Sequence, residues 1–371
     1  MQYIGRVSPI SGSCVAEDGK HPRNTPLKIG GATVAPGERR TVELQVGRLY
    51  THAQTTMPVQ VVRGRRSGPV LFVSAAIHGD ELNGVEIIRR LMRVRALNRL
   101  RGTLIAVPIV NLHGFIHMSR YLPDRRDLNR SFPGSQTGSL AARIASIFMK
   151  EIVARSTHGI DLHTGAIHRG NLPQIRAHLD DPQTLQLARA FGAPLILNSE
   201  LRDGSLRDAA TDRGIPVLLY EAGEALRLDE VAIRGGVNGI VRVMQALDMI
   251  PDRRKRRVPE PLQARSSRWV RAPQSGLFRA FSRLGDRVVK DQTLLGMVSD
   301  PFGEREHEIR APMSGIVIGQ LHLPLVNEGD AVYHVASFHR TDLAAERVED
   351  FHETLEARDH PYADRREPDA G

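Results

Sequence analysis

Apolar residues along this chain fall into two textures. Between positions 59 and 249, short apolar runs alternate with stretches where apolar residues recur every three or four positions. The runs at 59–62, 69–76, 103–110 and 216–220, with one ending at Leu162, read as strands. The second run, Pro69-Val70-Leu71-Phe72-Val73-Ser74-Ala75-Ala76, is apolar almost throughout, as a strand buried on both faces requires. The periodic stretches predict helices over 83–97, 139–153, 182–191 and 229–249. In the first of these Val85, Ile88, Leu91 and Met92 share one face. Such alternation predicts an α/β layered domain over 51–250 with a largely parallel central sheet. Its site is then expected at the carboxyl ends of the strands. The segment 165–176 reads as a specificity loop.

The flanks differ. Residues 1–50 are rich in Gly, Pro and polar residues, with strand-like alternation only at 41–46, and read as a loop-rich leader. A basic linker is expected over 251–265. Over 266–340 the helical period disappears and a weak repeat emerges. Arg271-Ala272-Pro273-Gln274-Ser275-Gly276 recurs as Arg310-Ala311-Pro312-Met313-Ser314-Gly315. Each copy runs into an apolar strand and then a Gly-Asp turn, Gly285-Asp286 or Gly329-Asp330. Two such β-halves predict a small barrel-sandwich and resemble the biotinyl/lipoyl-like hybrid barrel. The modified lysine of carrier domains has no counterpart in Ser299-Asp300-Pro301-Phe302-Gly303, so a structural or substrate-capping role is expected. Residues 341–371 read as a charged, frayed tail.

Composition narrows the class. In 371 residues, 41% hydrophobic and 25% charged content is ordinary for a soluble globular protein. No run approaches the roughly eighteen apolar residues of a membrane span. The N-terminus lacks signal-peptide features. One cysteine, Cys14, excludes an intrachain disulfide framework and a multi-cysteine zinc site. A bacterial-type cytoplasm fits best. The net charge of +9 comes mostly from scattered arginines. The dense cluster at 253–257 lies between Pro251 and Pro259 with no aromatic residue interleaved, which reads as a solvated linker. Neither nucleic acid nor membrane is expected as a partner, homo-oligomerisation is left open, and the basic surface favours anionic substrates.

Candidate chemistry gathers at the strand ends. His78-Gly79-Asp80-Glu81 follows the buried strand, where an imidazole and a carboxylate can converge on one cation. Alone, the pair fits a helix-start carboxylate beside an incidental histidine better than a metal site. Asp161-Leu162-His163-Thr164-Gly165 ends another strand and supplies a third ligand. Asp161 either stays in the core or orients the imidazole. Between them lies an arginine-rich stretch, 120–134, suited to carboxylate capture. Tyr220-Glu221-Ala222-Gly223-Glu224 places a carboxylate at a further strand end, fit for proton transfer or for a helix cap. Arg176 is either a pocket residue or a surface arginine.

In order along the chain, His78-x-x-Glu81, Asp127-Leu128-Asn129-Arg130, Asp161-x-His163 and Glu221-x-Gly223 resemble the succinylglutamate desuccinylase/aspartoacylase family of the zinc-carboxypeptidase-like superfamily. The resemblance spans roughly 59–247. It implies a three-layer α/β/α domain with a mixed sheet, holding one Zn2+ per chain on His78, Glu81 and His163. Glu221 would be the general base and acid. Asn129 and Arg130 would grip a substrate carboxylate, and Arg120 would polarise the scissile carbonyl. The stretch from Arg120 to Asp127 is slightly longer than usual for the family, leaving Arg125 and Arg126 as alternatives to Arg120. The expected activity is zinc-dependent hydrolysis of the amide bond in a small, carboxylate-bearing N-acyl amino acid. The alternative is a metallocarboxypeptidase removing a C-terminal residue. A non-catalytic binding protein is disfavoured, because every catalytic position carries a competent residue.

Overall fold

A computed structural model of the chain describes residues 25–251 and 260–356. Cys14, the basic cluster at 253–257 and the end of the tail lie outside the described residues. The buried apolar runs line up side by side. Arg66–Ala75, His158–Gly165 and Val217–Glu224 are parallel neighbours at the centre of a mixed sheet. Arg101–Val107 extends the parallel set on one side, and Gln54–Arg63 and then Arg39–Arg48 follow it antiparallel. On the other side Arg169–Ala177 pairs antiparallel with Val217–Glu224, and Leu195–Asn198 pairs parallel with it. Every residue of His158–Gly165 is buried, as its central place demands.

Helices cover both faces. Asn83–Leu91, Pro182–Phe191 and Glu230–Ala246 pack on one, around Ile87, Leu91, Phe191, Tyr220, Ile240 and Met244. Leu140–Glu151 and Leu206–Thr211 pack on the other, around Phe72, Ile144, Phe148 and Leu206. The expected three-layer α/β/α architecture is therefore present. Helix Pro182–Phe191 shows how local signals set the bounds. Asp181 accepts a hydrogen bond from the Thr184 amide at 2.8 Å, proline opens the helix, and Gly192 leaves it in the left-handed region.

Several elements differ from expectation. The segment 165–176, read as a loop, contributes most of the strand Arg169–Ala177. Its Arg169, Asn171, Gln174 and Arg176 break the apolar pattern, and three of the four face the cavity described below. Residues 39–48 form a ten-residue edge strand of the main sheet instead of a short leader strand. The first helix stops at Leu91, and a 3₁₀ turn, Arg95–Arg99, follows extended Val94 and returns Leu97 to the core. The charged tail is helical over Thr341–Glu356, because Ala344, Val348 and Leu355 make a sparse apolar stripe among the charges.

The C-terminal module is a sandwich of two sheets. Glu306–Arg310, Leu294–Ser299, Gly276–Ala280 and Leu325–Val326 form one. Ser266–Arg271, Ala331–Ser337, Gly315–Leu321 and Arg287–Val288 form the other, with Phe278, Leu295, Val298, Val317 and Tyr333 buried between. The two repeat copies lead into opposite sheets at Gly276 and Gly315. A Cβ at Gly315 would stand 2.0 Å from the Ala336 carbonyl oxygen, so the repeat needs glycine there. The second sheet is not separate from the α/β domain. Gly315–Leu321 pairs antiparallel with Arg169–Ala177, matching Gly319 with Asn171 and Leu321 with Arg169. One sheet thus runs from the α/β domain into the module. Among the described residues, no helix is long and apolar enough to cross a membrane.

An ion network ties two helices of the first face together. Arg90 grips Glu230 through both guanidinium amines at 2.7 and 2.8 Å, and its Nε donates to Glu86 at 2.6 Å. The bonds from Arg90, joined by Arg234, pull the Glu230 carboxyl down to about 2 against the effect of burial. The folded state therefore binds this proton less readily than the unfolded state. The contribution to stability is complete above the ordinary glutamate range, near pH 4.5, and is lost as pH falls towards 2. Urea titrations should show Arg90→Met costing about 1 kcal/mol at pH 6, with the difference shrinking at pH 3.

Candidate metal and active site

The strand ends deliver the three expected ligands to one place. Arg66–Ala75 hands the chain to a turn carrying buried His78 and Glu81, and His163 lies near the end of the adjacent parallel strand. The candidate ligand atoms of His78, Glu81 and His163 all lie within 4.8 Å of one another. His78 Nδ1 sits 2.7 Å from one Glu81 oxygen and His163 Nδ1 2.8 Å from the other. Both imidazoles thus turn the same nitrogen toward a shared carboxylate. Two imidazole nitrogens and one carboxylate oxygen leave a fourth position open, which is a donor set that zinc accepts.

The far nitrogens are held as well. His163 Nε2 lies 2.7 Å from Asp161, which in turn accepts from Ser74 Oγ at 2.7 Å. His78 Nε2 lies 3.2 Å from Asp127. Of the two roles left open for Asp161, orienting the imidazole is the one its contacts match. Burial opposes charge on His163, yet Asp161 and Glu81 outweigh it and hold the imidazole well above its ordinary range. Glu81 is held below the ordinary carboxylate range, because His78 and His163 overcome its complete burial. The cluster is poised to exchange imidazole protons for a cation.

His78, Glu81, Arg120, Asn129, Arg130, His163, Arg176 and Glu221 line a single cavity of about 630 Å³. A larger cleft of about 890 Å³, at the strand starts near Arg66 and Arg101, holds none of them. Glu221 stands directly opposite His163 across the parallel strand pair. Arg120 is half-buried, bonded to Asp127 at 2.9 Å and 3.6 Å from Glu81. Arg125 and Arg126 are exposed and do not line the cavity. Asn129 is buried and fixed through its side-chain oxygen, which accepts from the Leu206 amide at 2.9 Å. Arg130 joins it in the wall. Arg176 is a cavity residue, its Nε 2.8 Å from a Glu221 oxygen.

Several cavity residues carried no usable sequence signal. Arg207 is buried, and its Nε and Nη1 have no hydrogen-bond partner. Burial, then the neighbouring Arg176 and Arg202, push its guanidinium down to about 10. Its one clue is an arginine on the buried face of a short apolar helix, Leu206–Thr211. Asp127, whose place in the Asp127-Leu128-Asn129-Arg130 motif indicates no role by itself, contacts both His78 and Arg120. The module supplies Trp269, Arg271 and Asp330 to the wall. Trp269 stacks on His334 at 4.2 Å between ring centroids, and the Arg169 guanidinium lies 4.8 Å above the indole. Only the three-dimensional pairing of module and catalytic sheet brings these together.

A family model described as the succinylglutamate desuccinylase/aspartoacylase catalytic domain matches residues 67–247. The N-alpha-acetyl-L-2,4-diaminobutyric acid deacetylase of Halomonas elongata is 30% identical over 298 residues, 76% of this chain and 85% of its own. A succinylglutamate desuccinylase/aspartoacylase structure from Rhodobacter sphaeroides superposes with a TM-score of 0.73 at 25% identity, covering 81% of this chain and 96% of that one. The product-bound ectoine utilization protein of Ruegeria pomeroyi matches with the same TM-score and identity, covering 81% and 95%.

Asp161→Asn should weaken divalent-metal binding at this cluster about 10- to 100-fold, and His163→Ala should weaken it further. Competition against a chromophoric chelator measures both. Unchanged affinity in both variants would remove this cluster as the metal site.

Proposed function

The chain belongs to the succinylglutamate desuccinylase/aspartoacylase family, and on that premise we propose that it is a zinc-dependent amidohydrolase. It removes the acyl group from a small, carboxylate-bearing N-acyl amino acid in the cytoplasm. The observation that carries this reading is the convergence of Glu221 and the His78–Glu81–His163 cluster on one arginine-rich cavity partly walled by the C-terminal module.

Zinc held by His78, Glu81 and His163 would supply Lewis acidity and a water acidic enough to attack near neutral pH. Glu221, beside His163, takes the proton of the attacking water and returns it to the departing nitrogen. Arg120, in the same cavity wall and 3.6 Å from Glu81, is the residue assigned to donate to the carbonyl oxygen as negative charge develops there. Such a donor is commonly worth ~3–4 kcal/mol. Asp127 holds both Arg120 and His78, so carbonyl polarisation and the ligand set share one anchor. Asn129 and Arg130 take the substrate carboxylate, with Arg202 and Arg207 in the same wall. The unpartnered amines of buried Arg207 favour an anionic group at this end.

The module separates a deacylase from a carboxypeptidase. Trp269, Arg271 and Asp330 stand on the cavity wall, and their module is joined to the catalytic sheet by backbone pairing. A fixed wall of this kind admits a small amide and obstructs an extended peptide.

Acetyl-, succinyl- and formyl-amino acids should be hydrolysed, and short peptides should not. Turnover of peptides alone would sink this reading. Glu221→Gln should lower kcat by about 10²- to 10⁴-fold while zinc content and melting temperature stay unchanged. Arg207→Met should act mainly on KM, because the binding of the carboxylate is the interaction it loses.

A further inference from the structure

Glu221 does not stand free in the cavity. Asn171 Nδ2 donates to its Oε1 at 2.6 Å, and Arg176 Nε lies 2.8 Å from its Oε2. Of the two, the asparagine contact is the better-directed. The Arg176 Nε lacks the alignment of a hydrogen bond, whereas the Asn171 amide meets the carboxylate oxygen in full geometry. Asn171 is 4% exposed, so its donor has no competing water.

The backbone explains how Asn171 reaches this position. Glu221 pairs with Gln174 and Gly223 with Asn171, so two residues of one strand, Leu172 and Pro173, oppose Ala222 alone. This bulge shifts the register of Arg169–Ala177, so Asn171 and Arg176 line the cavity from opposite ends of the irregularity. On its other edge Asn171 pairs with Gly319 of the C-terminal module. A Cβ at Gly319 would stand 2.8 Å from Asn171 Oδ1. The module therefore leaves room for this side chain at the one place where it supplies the next strand.

We propose that Asn171 is a positioning residue for Glu221, with Gly319 of the C-terminal module leaving the space that its side chain occupies. The module then does more than wall the cavity: its strand borders the one that carries Asn171 and leaves that side chain its place beside the group that moves the proton. The inference rests on the hydrolytic reading above and adds a role for two residues outside its motifs.

The test uses full-length, zinc-loaded protein and the fastest-turned-over member of the N-acyl amino acid panel. Asn171→Ala should lower kcat about 10- to 100-fold, with KM within about twofold and zinc content unchanged. Asn171→Asp keeps the shape and removes the donor, so it should lose at least as much. It also decides the matter if the alanine variant fails to fold. In a Glu221→Gln background the Asn171→Ala change should add little, as expected for residues acting as a unit. Wild-type kcat in either folded single variant overturns the positioning role. So does a loss that appears equally in KM, or one that remains undiminished in the Glu221→Gln background. No turnover of any panel member, or full activity in Glu221→Gln alone, overturns the hydrolytic reading itself and the inference with it.

Discussion

The site is organised around one buried carboxylate, that of Glu81, bracketed by the imidazoles of His78 and His163. An ion removed from water this completely is tolerated only among compensating partners. Those partners propagate outward: Asp161 and Ser74 behind His163, and Asp127 and Arg120 behind His78. Each carboxylate is balanced by an imidazole or a guanidinium, and each of those is oriented by the next carboxylate. The parallel strands serve this chain of charges. Ser74 and Asp161 are register partners on adjacent strands, and His163 and Glu221 repeat the arrangement one strand further on. A rigid sheet fixes spacings that flexible loops could not hold to within a few tenths of an ångström.

The remainder of the cavity has a different balance. Seven arginines line it, and the carboxylates among its lining residues number four: Glu81, Asp161, Glu221 and Asp330. The proton on Arg207 is held less tightly than usual because burial and its like-charged neighbours oppose it. A molecule bringing negative charge relieves that crowding. One bringing only positive charge aggravates it. The balance of charge in these walls thus favours an anion over a cation.

How much of this could be read from the chain depends on what each residue does locally. Strand Arg66–Ala75 is visible because burial of its second half on both faces leaves a nearly continuous apolar run. His78, Glu81, His163 and Glu221 were visible because the fold places them just where such runs end. Arg169–Ala177 was missed for the complementary reason. Arg169, Asn171 and Arg176 face a polar cavity and interrupt the apolar period, and the strand's pairing depends on segments nearly fifty and nearly one hundred and fifty residues away. Arg207 and Asn171 share this limitation, since their importance comes from neighbours in space. The helix Thr341–Glu356 was obscured by composition, because its few buried apolar residues are far outnumbered by charges.

The continuity of the sheet has a consequence for how this protein can be divided. The catalytic layers look like a self-sufficient unit when drawn from the family match at 67–247. A chain cut before the module would nevertheless leave Arg169–Ala177 without the strand that now pairs with its outer part. Unsatisfied backbone donors and acceptors would then be displayed along an open edge, a ready template for association with another copy. The module thus acts as a covalently attached edge protector for the sheet that it extends.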